Sequence, residues 1–398
     1  MISPKREFLQ RTGIAAMLVT CLSFTISGCQ NGGSDGSGGG GDETSEILIG
    51  HYGSMTGSEA TFGISTDNGI RMAVEELNAA GGIKGRKVKL ITYDDKGDAR
   101  EAGTTVTRLV TNDGVVAVIG EVASGLSLAA APICQDGGVP MISPSSTNPK
   151  VTKIGDMIFR VCFIDPFQGK VCAKFAREHE GLKASKAAIL TDQASPYSVG
   201  LEEEFEKAFV AMGGAVVSKQ TYQAGDQDFS AQLTSIRGAE PDVIFIPGYY
   251  TDVGNIVLQA RKLGMKQVFL GGDGWDSAKL GEIAGEAING CFYSNHYSHE
   301  DPSPKVQEFI KKYVAKHEQT PDALAALGHD SAMILFEAMK KAESLDGAAL
   351  AAELAKTKEF EGVTGKISID AERNAVKPAV ILEMKDGKPS YVATIQPE

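Results

Sequence analysis

The sequence is poor in the residues from which most catalytic and metal sites are built. Among its 398 residues are six His, six Cys and one Trp, and neither His nor Cys forms a tight cluster. A structural zinc site needs paired ligands at short spacing, so there is little room for one. Basic charge is also in deficit: 39 Lys and Arg face 51 Asp and Glu, a net charge of −12. This balance argues against a general nucleic-acid-binding role, because phosphate binding needs a basic footprint. No GxGxxG follows the first apolar run, and neither GxxxxGK[ST] nor HExxH occurs. Gly53 to Gly57 reads GSMTG, but Met55 stands where a nucleophile elbow needs a hydroxyl. His51 after a strand and His329 in a helix read as packing or surface residues. The chain is therefore read as a non-enzyme with no cofactor and no metal. What it does have is 42% hydrophobic and 23% charged residues, enough apolar surface for a folded core. Its length predicts two or three domains.

The first 45 residues stand apart from that body. Lys5, Arg6 and Arg11 make a positive start, and no charge follows from Thr12 through Ser34. Ile14 to Ile26 is apolar, but shorter than the about 20 residues that span a bilayer and diluted by Thr and Ser. It reads as an export signal. The run ends ISGC at Cys29, which resembles a bacterial lipobox, where the Cys is lipidated and the chain is cut before it. The alternative is a plain signal peptide with an incidental Cys. Pro4 to Gln10 (PKREFLQ) resembles a twin-arginine export motif with Lys in the first Arg position; Sec export is the default. Residues 1–28 are expected to leave and 29–45 to form a lipidated, flexible tether. Gln30 to Ser45 is rich in Gly, Ser and Asp and reaches roughly 20–25 Å as a coil. Without residues 1–28 the net charge becomes −14. Anionic headgroups repel such a body, so the lipid would hold it at the membrane.

From Ile47 short apolar runs alternate with amphipathic ones. Strands are expected at Ile47 to Tyr52, Val88 to Tyr93, Val115 to Gly120 and Gly138 to Ser143, with helices over Thr66 to Ala79, Arg100 to Thr111 and Leu126 to Gln135. The alternation restarts near Ala184 and runs through strands at Ala187 to Thr191, Ala215 to Ser218, Asp242 to Ile246 and Gln267 to Gly271. Helices lie between them, three more follow from Ser303, and late strands are expected at Gly365 to Asp370 and Ala379 to Met384. This is an α/β chain of two parallel-sheet units covered on both faces, whose strand ends would line a cleft.

Four separated segments carry a family resemblance: Gly81 to Val88 (GGIKGRKV), Tyr93 to Asp95 (YDD), Met141 to Pro149 (MISPSSTNP) and Gln227 to Leu233 (QDFSAQL). In this order they resemble the type I periplasmic solute-binding proteins of the leucine/isoleucine/valine class, which serve ABC importers. The resemblance covers the body from about Glu46 to the C-terminus. It implies two doubly wound parallel-sheet lobes joined by three hinge crossings, near Cys162–Phe163, His296–Tyr297 and Ala375–Pro378. The N-lobe would be 46–163 plus 297–376, and the C-lobe 164–296 plus 377–398.

An amino acid is a zwitterion, so its site must replace water at both charges. Ser124 precedes an expected helix and reads as its N-cap, with amides behind it aimed at a carboxylate. By resemblance its hydroxyl and amide bind that carboxylate. Ser145, Ser146 and Thr147 match the segment that meets both ammonium and carboxylate. Asp273 matches an acidic residue that pairs with the ammonium, where many relatives carry the longer Glu; a turn residue between glycines is the alternative. Tyr197 and Tyr249 match residues that close over the ligand, with Tyr250 less so. Phe62 matches a position lining the side-chain pocket, with Leu324 or a neighbour beside it. Trp275 either narrows that pocket or packs in the core. Cys134, Cys162, Cys172 and Cys291 remain in the exported body, as thiols or as disulfides. The disulfide of well-known relatives is absent, because its positions are Gly97 and Ala123. The expected function is capture of a branched-chain or other aliphatic amino acid and its delivery to an ABC permease in the membrane. A ligand sensor of the same fold, or a receptor for another small solute such as an amide, is the alternative.

Overall fold

The computed structural model describes residues 46–397. The export signal, Cys29 and the tether lie outside the described residues. β1 (Ile47–Gly53), α1 (Ala60–Ala79), β2 (Val88–Asp94), α2 (Ala99–Arg108), β3 (Val118–Ile119), α3 (Ser124–Asp136), β4 (Met141–Ser143) and β5 (Ile158–Arg160) build the first sheet. Its five strands are parallel, in the order β2-β1-β3-β4-β5.

The winding then repeats through α4 (Asp165–Glu178), β6 (Lys186–Asp192), α5 (Pro196–Ala211), β7 (Ala215–Tyr222), α6 (Ser230–Gly238), β8 (Val243–Ile246), α7 (Tyr250–Lys262), β9 (Val268–Gly271), α8 (Ala278–Ala284) and β10 (Phe292–Asn295). These strands are again parallel, in the order β7-β6-β8-β9-β10. Every residue of β8 is buried, as is all of β6 after Lys186, because helices cover both faces of an inner parallel strand. β7 at the edge instead alternates exposed and half-buried residues.

The rest of the chain serves both sheets. α9 (Pro304–His317), α10 (Ala323–Lys341) and α11 (Gly347–Leu354) lead to β11 (Phe360–Gly362), β12 (Gly365–Ile369) and β13 (Ala375–Val376), a small antiparallel sheet. α10 lies on α1, and two glycines allow the approach. A Cβ on Gly69 would run into the Ala325 carbonyl, and one on Gly328 into the Thr66 carbonyl. β14 (Ala379–Lys385) and β15 (Lys388–Ile395) then extend the second sheet from β10 as an antiparallel hairpin. The second sheet is therefore mixed rather than wholly parallel.

Both windings reverse direction between their first and third strands, and the crevice outside that point is where open α/β sheets hold ligands. The residues following β3 and β4 from one sheet, and β6, β8 and β9 from the other, include the polar residues singled out above. Two local boundaries are corrected, and two open points are filled. α3 begins at Ser124 rather than Leu126, and Ala123 is its cap. α2 ends at Arg108, and a looser turn, Leu109–Asp113, closes at Gly114 with φ 65°. α4 and β5 occupy a stretch with no assigned element in the sequence reading. Cys134, Cys162, Cys172 and Cys291 are all buried free thiols, and burial pushes the first three up to about 12.

Candidate functional site

Asp273 opens a short turn directly after β9 and is buried. Four uncharged donors converge on its carboxylate. Oδ1 accepts from the Tyr197 hydroxyl at 2.9 Å and from Gln168 Nε2 at 2.8 Å. Oδ2 lies 3.0 Å from His296 Nε2 and accepts from the Ser145 hydroxyl at 3.4 Å. Burial pushes His296 down to about 4, so its ring is neutral at physiological pH. The carboxylate is thus hydrogen-bonded but carries no cation among the described residues. A buried charge in this state favours a cationic partner.

The aromatic residues form one stack above it. Tyr197 lies parallel to Tyr249, ring centroids 5.2 Å apart at 5°, and the Tyr197 hydroxyl also accepts from Gly274 N at 3.1 Å. Phe62 meets Tyr249 edge-on at 5.5 Å and Tyr250 at 5.0 Å. Both tyrosines of the pair therefore reach Phe62, including Tyr250, the weaker match in sequence. Leu324 is buried in the same apolar cluster as Phe62 and Tyr250. Trp275 belongs to the core: its indole N–H donates to the Ile246 carbonyl at 3.0 Å and the ring is fully buried.

The opposite wall carries hydroxyls and backbone amides. Ser124, at the first turn of α3, accepts from Asn148 N at 3.2 Å. It makes no side-chain cap to the helix, whose cap residue is Ala123; the Glu121 carboxyl accepts from Ala123 N and, at 2.9 Å, from Ser54 N. Glu121 and Asp95 each lie 3.0 Å from the single Ser54 hydroxyl. Burial raises both acids, Asp95 to about 6 and Glu121 to about 8 with the Asp95 charge adding, so Glu121 holds its proton more firmly than Asp95 does. Thr147 is fully buried and its hydroxyl has no hydrogen-bond partner. Ser146 is turned inward: its hydroxyl meets the Glu121 and Val122 carbonyls and Ser127 Oγ, and its N–H donates to Ser143 Oγ. It braces the turn instead of reaching the cleft.

Sequence reasoning missed Gln168 and Glu121 as members of the site and placed His296 only at a crossing. His51 is buried with Nδ1 on the Ile119 carbonyl, and His329 pairs with Glu76. Contacts across the mouth hold the two walls together: Asn148 Nδ2 to the Pro196 carbonyl at 2.7 Å, Thr251 Oγ1 to the Ser58 carbonyl at 2.7 Å, and Thr61 Oγ1 to Ser277 Oγ at 2.9 Å. Val122, Ser145, Tyr197, Tyr249, Asp273 and Gly274 enclose only about 10 Å³. That is room for about one water, so any larger guest requires the walls to part.

Comparison with known proteins gives this geometry a family. A leucine-binding protein from Thermotoga maritima is 40% identical, superposes with a TM-score of 0.85, and the match covers 88% of this chain and 99% of that one. A branched-chain amino acid transporter substrate-binding protein from Streptococcus pneumoniae, solved with isoleucine, is 37% identical with a TM-score of 0.84, covering 89% and 100%. A Leu/Ile/Val-binding protein homolog of Brucella abortus is 33% identical over 359 residues, 88% of this chain and 95% of the relative. These neighbours are substrate-binding proteins, not enzymes, and their two-lobed type I fold is the one described above. Residues 46–389 match the periplasmic binding protein family model, and the chain belongs to that family.

Proposed function

We propose that this protein captures an amino acid with an aliphatic side chain, branched-chain first, between its two lobes and delivers it to an ABC importer. The observation that carries this reading is Asp273, a buried carboxylate whose donors are all neutral and which lies at the lobe junction. The ammonium of a zwitterion supplies the missing cation. Its carboxylate would meet Ser124 and the first amides of α3, with the unpartnered Thr147 hydroxyl within the same wall. Ser145 and Tyr197 would help hold the ammonium end, Tyr249 would close over the ligand, and Phe62 would line the side-chain pocket. Ser146 would support that wall from behind. The similar proteins named for leucine and solved with isoleucine support an aliphatic ligand.

The lobes would comprise 46–163 plus 297–376 and 164–296 plus 377–398, turning about the three crossings. No chemistry is performed; binding favours the closed arrangement, and release needs opening. Family membership makes the protein an exported one. Anchoring through a lipidated Cys29 is the finer reading, supported by the ISGC sequence and the tether. Isothermal titration against the 20 amino acids tests the ligand. Saturable binding of leucine, isoleucine or valine is expected, with no binding of isopentylamine or 4-methylvalerate, which each lack one charge. Absence of binding by every amino acid to the folded protein would sink the reading. Metabolic labelling with palmitate, lost in Cys29→Ala, tests the anchor.

A further inference from the structure

His296 touches both Asp273, the ammonium partner proposed above, and the segments that link the lobes. It immediately follows β10, where the chain leaves the second sheet, and is buried. Its imidazole stacks on Phe163, ring centroids 3.7 Å apart at 25°. Phe163 lies three residues beyond β5, where the chain leaves the first sheet. The third link, between β13 and β14, holds Lys377, whose Nζ donates to Thr364 Oγ1. One ring thus bridges two crossings and faces the cation of a third, while its Nε2 is 3.0 Å from Asp273.

The protonation state follows from the partners. A carboxylate only accepts, so the ring proton sits on Nε2, and Nδ1 is left a buried lone pair without a donor. The ionisable groups around the ring and its carboxylate are Asp273, Lys377, Asp165, Asp276, Cys162, Cys172, Tyr197 and Tyr249. Burial, with Lys377 adding repulsion, outweighs the pull of Asp273. Neutral imidazole has a consequence that a lysine or arginine here would lack. It fixes the carboxylate without cancelling its charge, so the seat stays open to an ammonium. Gln168 does the same from α4, sharing its amide between Asp273 and Ser294 Oγ at 2.9 Å.

We propose that His296 is a positioning residue: as an uncharged donor it aims Asp273 at the ligand's ammonium, and through its stack on Phe163 it couples that contact to the angle between the lobes. The proposal rests on the reading of Asp273 as the ammonium partner. An ammonium pulling on Asp273 then acts on the ring lying between two crossings, and a change in lobe angle moves the carboxylate. Linkage makes the two effects reciprocal.

Leucine titrations with four variants of the protein test it. Asp273→Asn should abolish binding. His296→Phe keeps a ring on Phe163 but loses the donor, and should weaken leucine about tenfold or more while the fold, read by circular dichroism, is kept. His296→Gln restores a terminal N–H but not the stack, so it should bind leucine severalfold more tightly than His296→Phe and no more tightly than Phe163→Leu. Phe163→Leu keeps every donor and removes the stack; it should weaken leucine and shift the open fraction seen by small-angle scattering. The pH profile supplies a readout that mere packing does not give. Parent affinity should fall as pH drops toward about 4, where imidazolium forms and competes with the ammonium, and in His296→Gln that fall should move to lower pH. Full leucine affinity in His296→Phe, no rescue by Gln in a folded variant, or an unmoved acid limb overturns the proposal. Unchanged affinity in Asp273→Asn overturns instead the ammonium reading, and this proposal with it.

Discussion

The two walls of the cleft are built on opposite electrostatic plans. The wall on the five-stranded sheet offers Ser124, Thr147 and the first amides of α3, with no ionisable side chain among them, and burial of its nearest acid, Glu121, favours the protonated form. The wall on the seven-stranded sheet offers one full charge, Asp273, surrounded by neutral donors and a tyrosine stack. Dipoles and hydroxyls suit an anion that must also leave, whereas a single buried carboxylate sets an all-or-none demand for a cation. A zwitterion laid between them would satisfy both, and closure is the state in which it could do so.

The largest effect should come from removing the charge. Asp273→Ala leaves an ammonium buried without a counterion, and losing one member of such a pair costs about 2–5 kcal/mol, so leucine affinity should fall about 30-fold or more by titration. Neutral-wall changes should be milder because several donors share the carboxylate. Ser124→Ala and Thr147→Val should each cost about tenfold, in keeping with about 1.5 kcal/mol for a hydrogen bond to a charged group. An equal loss from both walls would break the contrast. Smaller still, Phe62→Ala should relax discrimination between leucine and alanine by several-fold while leaving the zwitterion contacts intact, because a pocket distinguishes methylenes only weakly. Competition titrations of the two ligands read this ratio.

The fold and the seven-stranded wall were largely legible because their signals are local. Apolar strands alternating with amphipathic helices gave both windings, and Tyr197, Tyr249 and Asp273 follow β6, β8 and β9 as strand-end residues should. Gln168 was hidden because α4 buries eight of its fourteen residues; a helix covered on most sides has no clean polar stripe to read. The bond from His296 to Asp273 joins residues 23 apart through the fold, and sequence does not encode the angle at which they meet. Ser124 is the first residue of α3 rather than its cap because the helix starts one residue earlier than a Ser124 cap requires, a boundary that the sequence pattern does not fix. The glycine crossing of α1 and α10 is likewise visible only once both helices are placed.

The finest test of the contrast is Glu121, whose effect at neutral pH should be nearly silent. Its folded value is raised to about 8 by burial, against about 4.3 for a free glutamate. Between those limits the folded chain holds a proton that the unfolded chain has released. Stability therefore declines as pH rises across this window and levels off above about 8. Asp165, raised to about 8, and Asp95, raised to about 6, add to the same slope. Glu121→Gln keeps an uncharged group of nearly the same shape, so its urea midpoint should fall less between pH 5 and 9 than the parent's. The same variant should hold leucine affinity constant at pH 9, where the parent acquires a negative charge three residues from Ser124. If parent and variant lose affinity together above pH 8, the neutral wall does not depend on keeping this acid protonated, and the difference between the two walls rests on Asp273 alone.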